Sequence, residues 1–155
     1  MHKITPFLWF DGRAEEAASF YTSIFKNSKL GRIARYGDAG PGAEGAVMSA
    51  SFQIDGQEFV ALNGGPQFKF TPAISFLVHC ETQDEVDHLW EKLSNGGQEI
   101  QCGWVTDKFG VTWQIVPTIL GQLLADKDSA KVSRVTKAML QMKKLDIGRL
   151  KQAAE

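Results

Sequence analysis

The stretch AISFLVHCETQDEVDHLWEKLSNGG, residues 73–97, decides the fold. Ala73–Cys80 is rich in branched and aromatic side chains and reads as a strand. Thr82 followed by Glu85 is a capping box: the hydroxyl takes up an orphan N–H of the first helical turn and the carboxylate reaches back. Val86, Leu89, Trp90 and Leu93 then recur at helical spacing and make one apolar stripe. Asn95-Gly96-Gly97 ends the helix, because glycine takes the left-handed conformation that closes a helix without steric cost. Two more strands are expected, Glu99–Val105 and Val111–Val116, around a turn at Asp107–Gly110.

The first half of the chain repeats this plan. Lys3–Phe10 (KITPFLWF) reads as a strand, with Pro6 marking an edge or an irregularity. Asp11 is a candidate helix cap. Ala14, Ala17, Ala18, Tyr21, Ile24 and Phe25 form the next apolar stripe. Strands follow at Leu30–Tyr36, Val47–Ile54 and Glu58–Leu62, with Asp55-Gly56 as a hairpin turn. Glu16, Ala17, Phe20, Tyr21 and Ile24 fall on Glu85, Val86, Leu89, Trp90 and Leu93 at one offset, and Phe7-Leu8 falls on Phe76-Leu77 at the same offset. Gly56 and Phe59 pair with Gly110 and Trp113 at a shorter one. The Gly- and Pro-rich loop Asp38–Gly45 accounts for the extra length of the first half. The expected fold is α+β: two paired βαβββ modules, about residues 3–63 and 73–117, in a single domain spanning 1–118. Two copies make a paired module, whereas a solenoid needs three or more short repeats.

Residues 119–155 read as a helical extension. Leu120, Leu123 and Leu124 share a face. Asp128 or Ser129 can cap a helix carrying Val132, Val135, Met139 and Met142, and Asp146 one carrying Ile147, Leu150 and Ala154. The simplest expectation is that these helices pack on the domain; the alternative is a dimer contact.

The 155 residues carry a formal net charge of -1, which gives no electrostatic case for nucleic acid or an anionic membrane surface. No apolar run is long enough to span a membrane. Residues 1–10 lack the pattern of a secretion signal, and Cys80 and Cys102 have no CxxC spacing, so reduced thiols and a cytoplasmic location are expected.

The strings ITPFLWFDGRAEEAASFYTSIF, FVALNGGPQFKFTPAISFLVHCETQDEVDHLWEKL, CGWVTDKFGVTWQIVP and AMLQMKKLDIGRL resemble the PhnB-like subgroup of the vicinal oxygen chelate superfamily. Members of that subgroup are often labelled 3-demethylubiquinone-9 3-methyltransferase. The resemblance implies two βαβββ modules that each curl a sheet around a pocket, and a homodimer. It also implies where catalytic members hold a divalent metal: on the first and last strand of each module. Those places fall here near Ile4–Pro6, near Ala73, at Val60 or Ala61, and at Gln114. Only Gln114 is a plausible ligand, and one neutral amide does not hold a divalent ion against water. No metal and no cofactor are therefore expected.

Of the three histidines, His2 is terminal, His88 lies on the polar side of its helix, and His79 alone is placed to reach a pocket. Ser75 and His79 share a strand face but stand ~13 Å apart at ~3.3 Å per residue, beyond a hydrogen bond. No catalytic residue is assigned. The glycines do not form the strand–turn–helix phosphate or nucleoside cradle of common methyltransferases, since Gly64-Gly65 leads into Pro66 and Gly96-Gly97 follows a helix. Strand alternation places Ser75, Leu77, His79, Thr112, Gln114 and Val116 toward the pocket. Trp104 reads equally as a wall of it or as packing, while Trp9, Trp90 and Trp113 read as core beneath the helices. Asn63 is expected at the rim, with the Phe68–Phe70 loop as a lid. The candidate ligand-binding set is Asn63, Ser75, Trp104, Thr112 and Gln114, around an apolar or aromatic small molecule. Two alternatives stand beside this reading. One is an enzyme with an atypical or metal-independent site. The other is an interaction protein working through its C-terminal helices.

Overall fold

The computed structural model describes residues 2–155. The chain divides into two compact units, Met1–Phe70 and Thr71–Glu155.

In the first unit, β1 (Phe7–Phe10), α1 (Ala14–Ile24), β2 (Ser28–Arg35), β3 (Val47–Ile54) and β4 (Gln57–Asn63) build a sheet of order β1-β4-β3-β2. β1 runs parallel to β4, and the other pairs are antiparallel. Alternation sends Leu8, Phe10, Ala50, Phe52, Phe59 and Ala61 to the α1 side, where all are buried. Ala14, Ala17, Ala18, Tyr21 and Ile24 bury the facing stripe of the helix. Tyr21 stacks on Phe52 at 5.8 Å, and Phe52 on Phe59 at 5.2 Å. The β3–β4 hairpin turns at Asp55 (φ +50°) and Gly56 (φ +78°), the left-handed pair that an Asp-Gly two-residue turn needs.

The second unit repeats the plan with β5 (Ser75–Cys80), α2 (Gln83–Ser94), β6 (Gln98–Glu99), β7 (Trp104–Thr106) and β8 (Thr112–Pro117), in order β5-β8-β7-β6. β5 is parallel to β8. Val86, Leu89, Trp90 and Leu93 are the buried stripe of α2. Three helices follow: α3 (Thr118–Leu124), α4 (Ser129–Leu140) and α5 (Ile147–Ala154). They enclose a cluster of Leu120, Val135, Met142, Leu145 and Leu150, against which Val116 of β8 packs. Arg134 of α4 donates to the carbonyls of Ala153 and Ala154 at the end of α5, at 3.1 and 3.3 Å. That puts a cation where the last turn leaves carbonyls without partners. Among the described residues, no helix is long and apolar enough to cross a membrane.

The α2 cap follows the sequence expectation. Thr82 Oγ1 accepts from the Glu85 N–H at 3.2 Å, and Glu85 reaches back to the Glu81 N–H at 2.9 Å. Asp128 and Asp146 cap α4 and α5. Asp11 does not cap α1. That helix begins after Arg13, which makes no side-chain cap, and the Ala14 N–H is taken by Asn63 Oδ1 from the end of β4, at 2.9 Å.

Strand bounds and the repeat register also differ from expectation. β1 begins only at Phe7, because Pro6 offers a carbonyl, to the Val60 N–H, but has no N–H of its own to pair. The expected strand Glu99–Val105 is interrupted at 100–103 by a turn in which Cys102 (φ +60°) and Gly103 (φ +85°) are both left-handed. Val60 opposes Phe7, and the equivalent Gln114 opposes Leu77, so Phe7 matches Leu77 and not Phe76. The helices repeat at one offset and the first strands at one residue more. A one-residue slip moves every side chain to the other face.

Asp107 locks the β7–β8 connection from inside. Its carboxylate is 2% exposed and accepts from the Phe109 and Val111 N–H groups and from the Trp113 indole, at 2.9, 3.0 and 2.9 Å. Asp107→Ala leaves two buried donors, the Val111 N–H and the Trp113 indole, and one half-buried donor, the Phe109 N–H, without this acceptor. We expect a loss of about 2–4 kcal/mol in urea unfolding, because hydrogen bonds to a charged group contribute about 1.5–3 kcal/mol and stranded donors add to that. A loss below about 0.5 kcal/mol, which is ordinary for surface sites, would contradict this role.

Candidate functional site

The sheet of the second unit has one face under α2 and a second face that is open except at Val116, which packs against the α3–α5 cluster. Val105, Trp113 and Ile115 are buried on the helix side, and Phe76 lies against Trp113 with ring centroids 5.4 Å apart. The register sets the open face in rows across the strands. One row is Ser75, Thr112 and Thr106; the next is Leu77, Gln114 and Trp104; the last pairs His79 with Val116. Four of the five expected ligand-binding residues thus share one surface.

Their polar atoms pair with one another. Gln114 Nε2 donates to Ser75 Oγ at 2.9 Å. The Thr106 and Thr112 hydroxyls lie 3.3 Å apart, and Thr112 is buried. Leu77 stands in the middle of the face at 44% exposure, and Trp104 is half-buried. The rows carry no carboxylate, ammonium or guanidinium, and His79 sits exposed at their end. The surface is therefore apolar and aromatic, with a neutral amide and hydroxyls for orientation.

Asn63 lies in the first unit, and both ends of its amide are committed. Oδ1 accepts from Ala14 N–H at 2.9 Å, and Nδ2 donates to the Val47 carbonyl at 3.1 Å. It borders a cavity of about 520 Å³ whose lining includes Glu15, Tyr36, Gly42, Gly64 and Pro66. The Tyr36 hydroxyl donates to the Asn63 carbonyl at 2.6 Å, which ties the end of β2 to the end of β4. Sequence reading did not find Tyr36. Its contact spans 27 positions and leaves no local pattern.

Trp90 and Trp113 are buried on the helix side, as core. Trp9 is not beneath a helix. It opposes Leu62 on the open face of the first sheet, its indole donates to the Gly65 carbonyl at 2.8 Å, and Phe68 packs edge-on at 4.9 Å. Leu8 and Phe10 on either side of it are the residues buried toward α1, so alternation turns Trp9 to the opposite face.

A family model described as 3-demethylubiquinone-9 3-methyltransferase matches residues 2–116. The chain belongs to this family, the PhnB-like branch of the vicinal oxygen chelate superfamily. A solved Bacillus cereus protein described as a putative 3-demethylubiquinone-9 3-methyltransferase, PhnB protein, is 43% identical; the match covers 76% of this chain and 100% of that one, with a TM-score of 0.70. A Pseudomonas aeruginosa protein shares the fold at 23% identity, over 76% of this chain and 98% of its own, with a TM-score of 0.64. No curated protein matches the chain.

The superfamily's metal does not fit the side chains here. Val60 and Gln114 hold equivalent places on the open faces, and Ala61 is buried toward α1. The early-strand places hold Ile4, Thr5, Pro6 and Ala73, whose one side-chain oxygen is the neutral Thr5 hydroxyl, a poor ligand for a divalent ion. Gln114 is a neutral amide already bonded to Ser75. Among the described residues, no group of three or more His, Cys, Asp or Glu is arranged to hold a metal ion.

Neither cysteine is in a disulfide. Burial, then the nearby Glu85 and Glu81 carboxylates, push the Cys80 thiol from its ordinary 9.0 to about 12. The thiol form is the one the fold accepts, so this contribution to stability is complete below pH 9 and is lost as pH rises toward 12. We expect folded protein at pH 8 to leave Cys80 unalkylated by iodoacetamide, with peptide mass mapping as the readout. We also expect Cys80→Ala to flatten the fall in urea midpoint between pH 9 and 11. Rapid alkylation of Cys80 in native protein would refute this.

Proposed function

We propose that the chain binds a small apolar or aromatic molecule on the open face of its second sheet, with no metal or cofactor of its own. The observation that carries this reading is the row Leu77–Gln114–Trp104: an exposed aliphatic, a neutral amide and an aromatic side by side on a face without charged side chains. Small-molecule sites are mainly apolar and aromatic, with few placed polar groups. Ser75 orients the Gln114 amide, and Thr112 fills the floor of the same face. Asn63 acts in the first unit by holding α1 and β3 at the border of its cavity.

We take the working form to be a homodimer in which a second copy closes the face. In the second unit Leu77 and Ile74 are large apolar side chains at 44% and 73% exposure, and exposed apolar surface of this kind marks association sites. The two unpaired cysteines suit a cytoplasmic location.

An enzymatic reading keeps one support: Gln114 stands where catalytic relatives in the superfamily carry a metal ligand. The family's descriptive name implies methyl transfer, and among the described residues no glycine-rich turn lies between a strand and a helix for a nucleoside cofactor.

Protein purified without chelator or tag should carry no stoichiometric divalent ion by elemental analysis, and native mass spectrometry should show dimers. Titration with 1-naphthol should quench tryptophan emission, and Trp104→Ala should weaken binding about tenfold, since a lost aromatic contact is worth ~0.5–1.5 kcal/mol beyond its area. One ion per subunit, or unchanged affinity in Trp104→Ala, would sink the proposal.

A further inference from the structure

The segment 141–146, QMKKLD, joins α4 to α5 and runs without helical structure along the edge of the second module. Its side chains divide cleanly. Met142 and Leu145 are buried, while Gln141, Lys143 and Lys144 are exposed. Its backbone is fastened at two places. On one side, Gln83 in the first turn of α2 clamps it through both ends of its amide, donating to the Leu145 carbonyl at 3.1 Å and accepting from the Ile147 N–H at 2.8 Å. Lys144 adds an ion pair to Asp87 of α2 at 2.9 Å. Gln83 and Lys144 together hold the Asp87 carboxyl below its usual value.

On the other side lies the turn Gln101–Trp104. The Trp104 N–H closes it onto the Gln101 carbonyl at 3.1 Å. Cys102 and Gly103, its two central residues, are left-handed, as in a type I′ turn. Such a turn normally favours asparagine or aspartate where Cys102 stands. The central N–H groups of a β-turn have no partner within it. Here both are taken by the ribbon: Cys102 donates to the Met142 carbonyl and Gly103 to the Lys143 carbonyl, each at 2.8 Å. A side chain on Gly103 would meet the Ile115 carbonyl at 2.8 Å and Leu145 Cδ1 at 3.0 Å, so Leu145 packs directly on the bare α-carbon. Trp104 is the last residue of this turn and the first of β7, a strand of three residues. With so short a strand, the turn sets where Trp104 stands.

We infer that the 141–146 ribbon is a positioning element for the open face: by satisfying and packing the Cys102–Gly103 turn it holds Trp104 in the row with Gln114 and Leu77. The inference rests on the binding face proposed above. It also assigns work to a part of the chain beyond the family match, which ends at residue 116. The Bacillus cereus relative is matched over its entire length by 76% of this chain.

The test uses the full chain labelled with 5-fluorotryptophan, whose four resonances are assigned by single Trp→Phe changes. Leu145→Ala removes the packing on Gly103, and Gln83→Ala removes the clamp on α2. Lys151→Ala, exposed on α5, is the control. In at least one of the first two variants the Trp104 fluorine signal should shift or broaden, and the Cys102 and Gly103 amides should exchange about tenfold faster. The Trp90 and Trp113 signals should keep their native positions. Affinity for 1-naphthol should fall about fivefold, and the same change should have no further effect in a Trp104→Ala background, as expected of coupled residues. The inference is overturned if Trp104 and the two amides are unaffected, if Trp90 and Trp113 move as much as Trp104 in both variants, or if the affinity losses simply add. Should 1-naphthol fail to bind the unmodified chain, the binding reading fails, and the fluorine and exchange results still decide whether the ribbon positions Trp104.

Discussion

The parallel pairing of the first and last strand in each module is the constraint on which everything else depends. In the second unit it joins Leu77 to Gln114 and Ser75 to Thr112. Those pairings decide that Trp113 and Ile115 go under α2 and that Ser75, Leu77, Gln114 and Trp104 share the other face. Because side chains alternate with a period of two, no intermediate register exists: a slip by one residue would bury Gln114 against α2 and expose Trp113. Burial of the α2 stripe makes that slip costly. The indole of Trp113 reinforces it, since only in this register does its N–H reach the buried Asp107 carboxylate. The open face is thus defined by what the core must exclude.

Much of this was legible in the sequence, for local reasons. The α2 cap, the helix stripes and the Asp-Gly hairpin each depend on residues within a few positions, so the pattern is visible without knowing the fold. The duplicated plan was legible because both helices repeat the same buried positions. What escaped reading was non-local. Asn63 replaces the expected Asp11 at the start of α1 from 49 positions away. Trp9 falls on the open face because its neighbours Leu8 and Phe10 are the ones buried toward α1. The interruption at 100–103 has a weak local signal, since cysteine is not a usual left-handed residue and only the neighbouring glycine hints at a turn.

The candidate site was legible in part for the same reason. Ser75, Thr112 and Gln114 follow from alternation along regular strands, and the structure groups them with Trp104. Alternation says nothing about which polar atoms are already committed. The Gln114–Ser75 and Thr106–Thr112 contacts cross strands, and both amide ends of Asn63 are used within the first unit. A polar residue placed correctly by pattern is therefore only half described. Its remaining hydrogen-bonding capacity, which is what a ligand meets, comes from the pairing.

The relation between fold and chemistry follows from these commitments. Where the superfamily's catalytic members need donors, this chain has Ile4, Thr5, Pro6, Val60 and Ala73, with a single neutral hydroxyl among them, and one amide. Apolar side chains at those places would leave a divalent ion with water as most of its ligands, and a hydrated ion gains little from a hydrophobic wall. Apolar side chains at those places also leave few polar groups that would need desolvation if the face were covered. The helix faces carry the packed core, with Tyr21 on Phe52 and Trp113 on Asp107, and Leu77, Gln114 and Trp104 stand on the other side of the sheet from it. Side chains that do not carry the core are free to change chemistry while the register that displays them stays fixed.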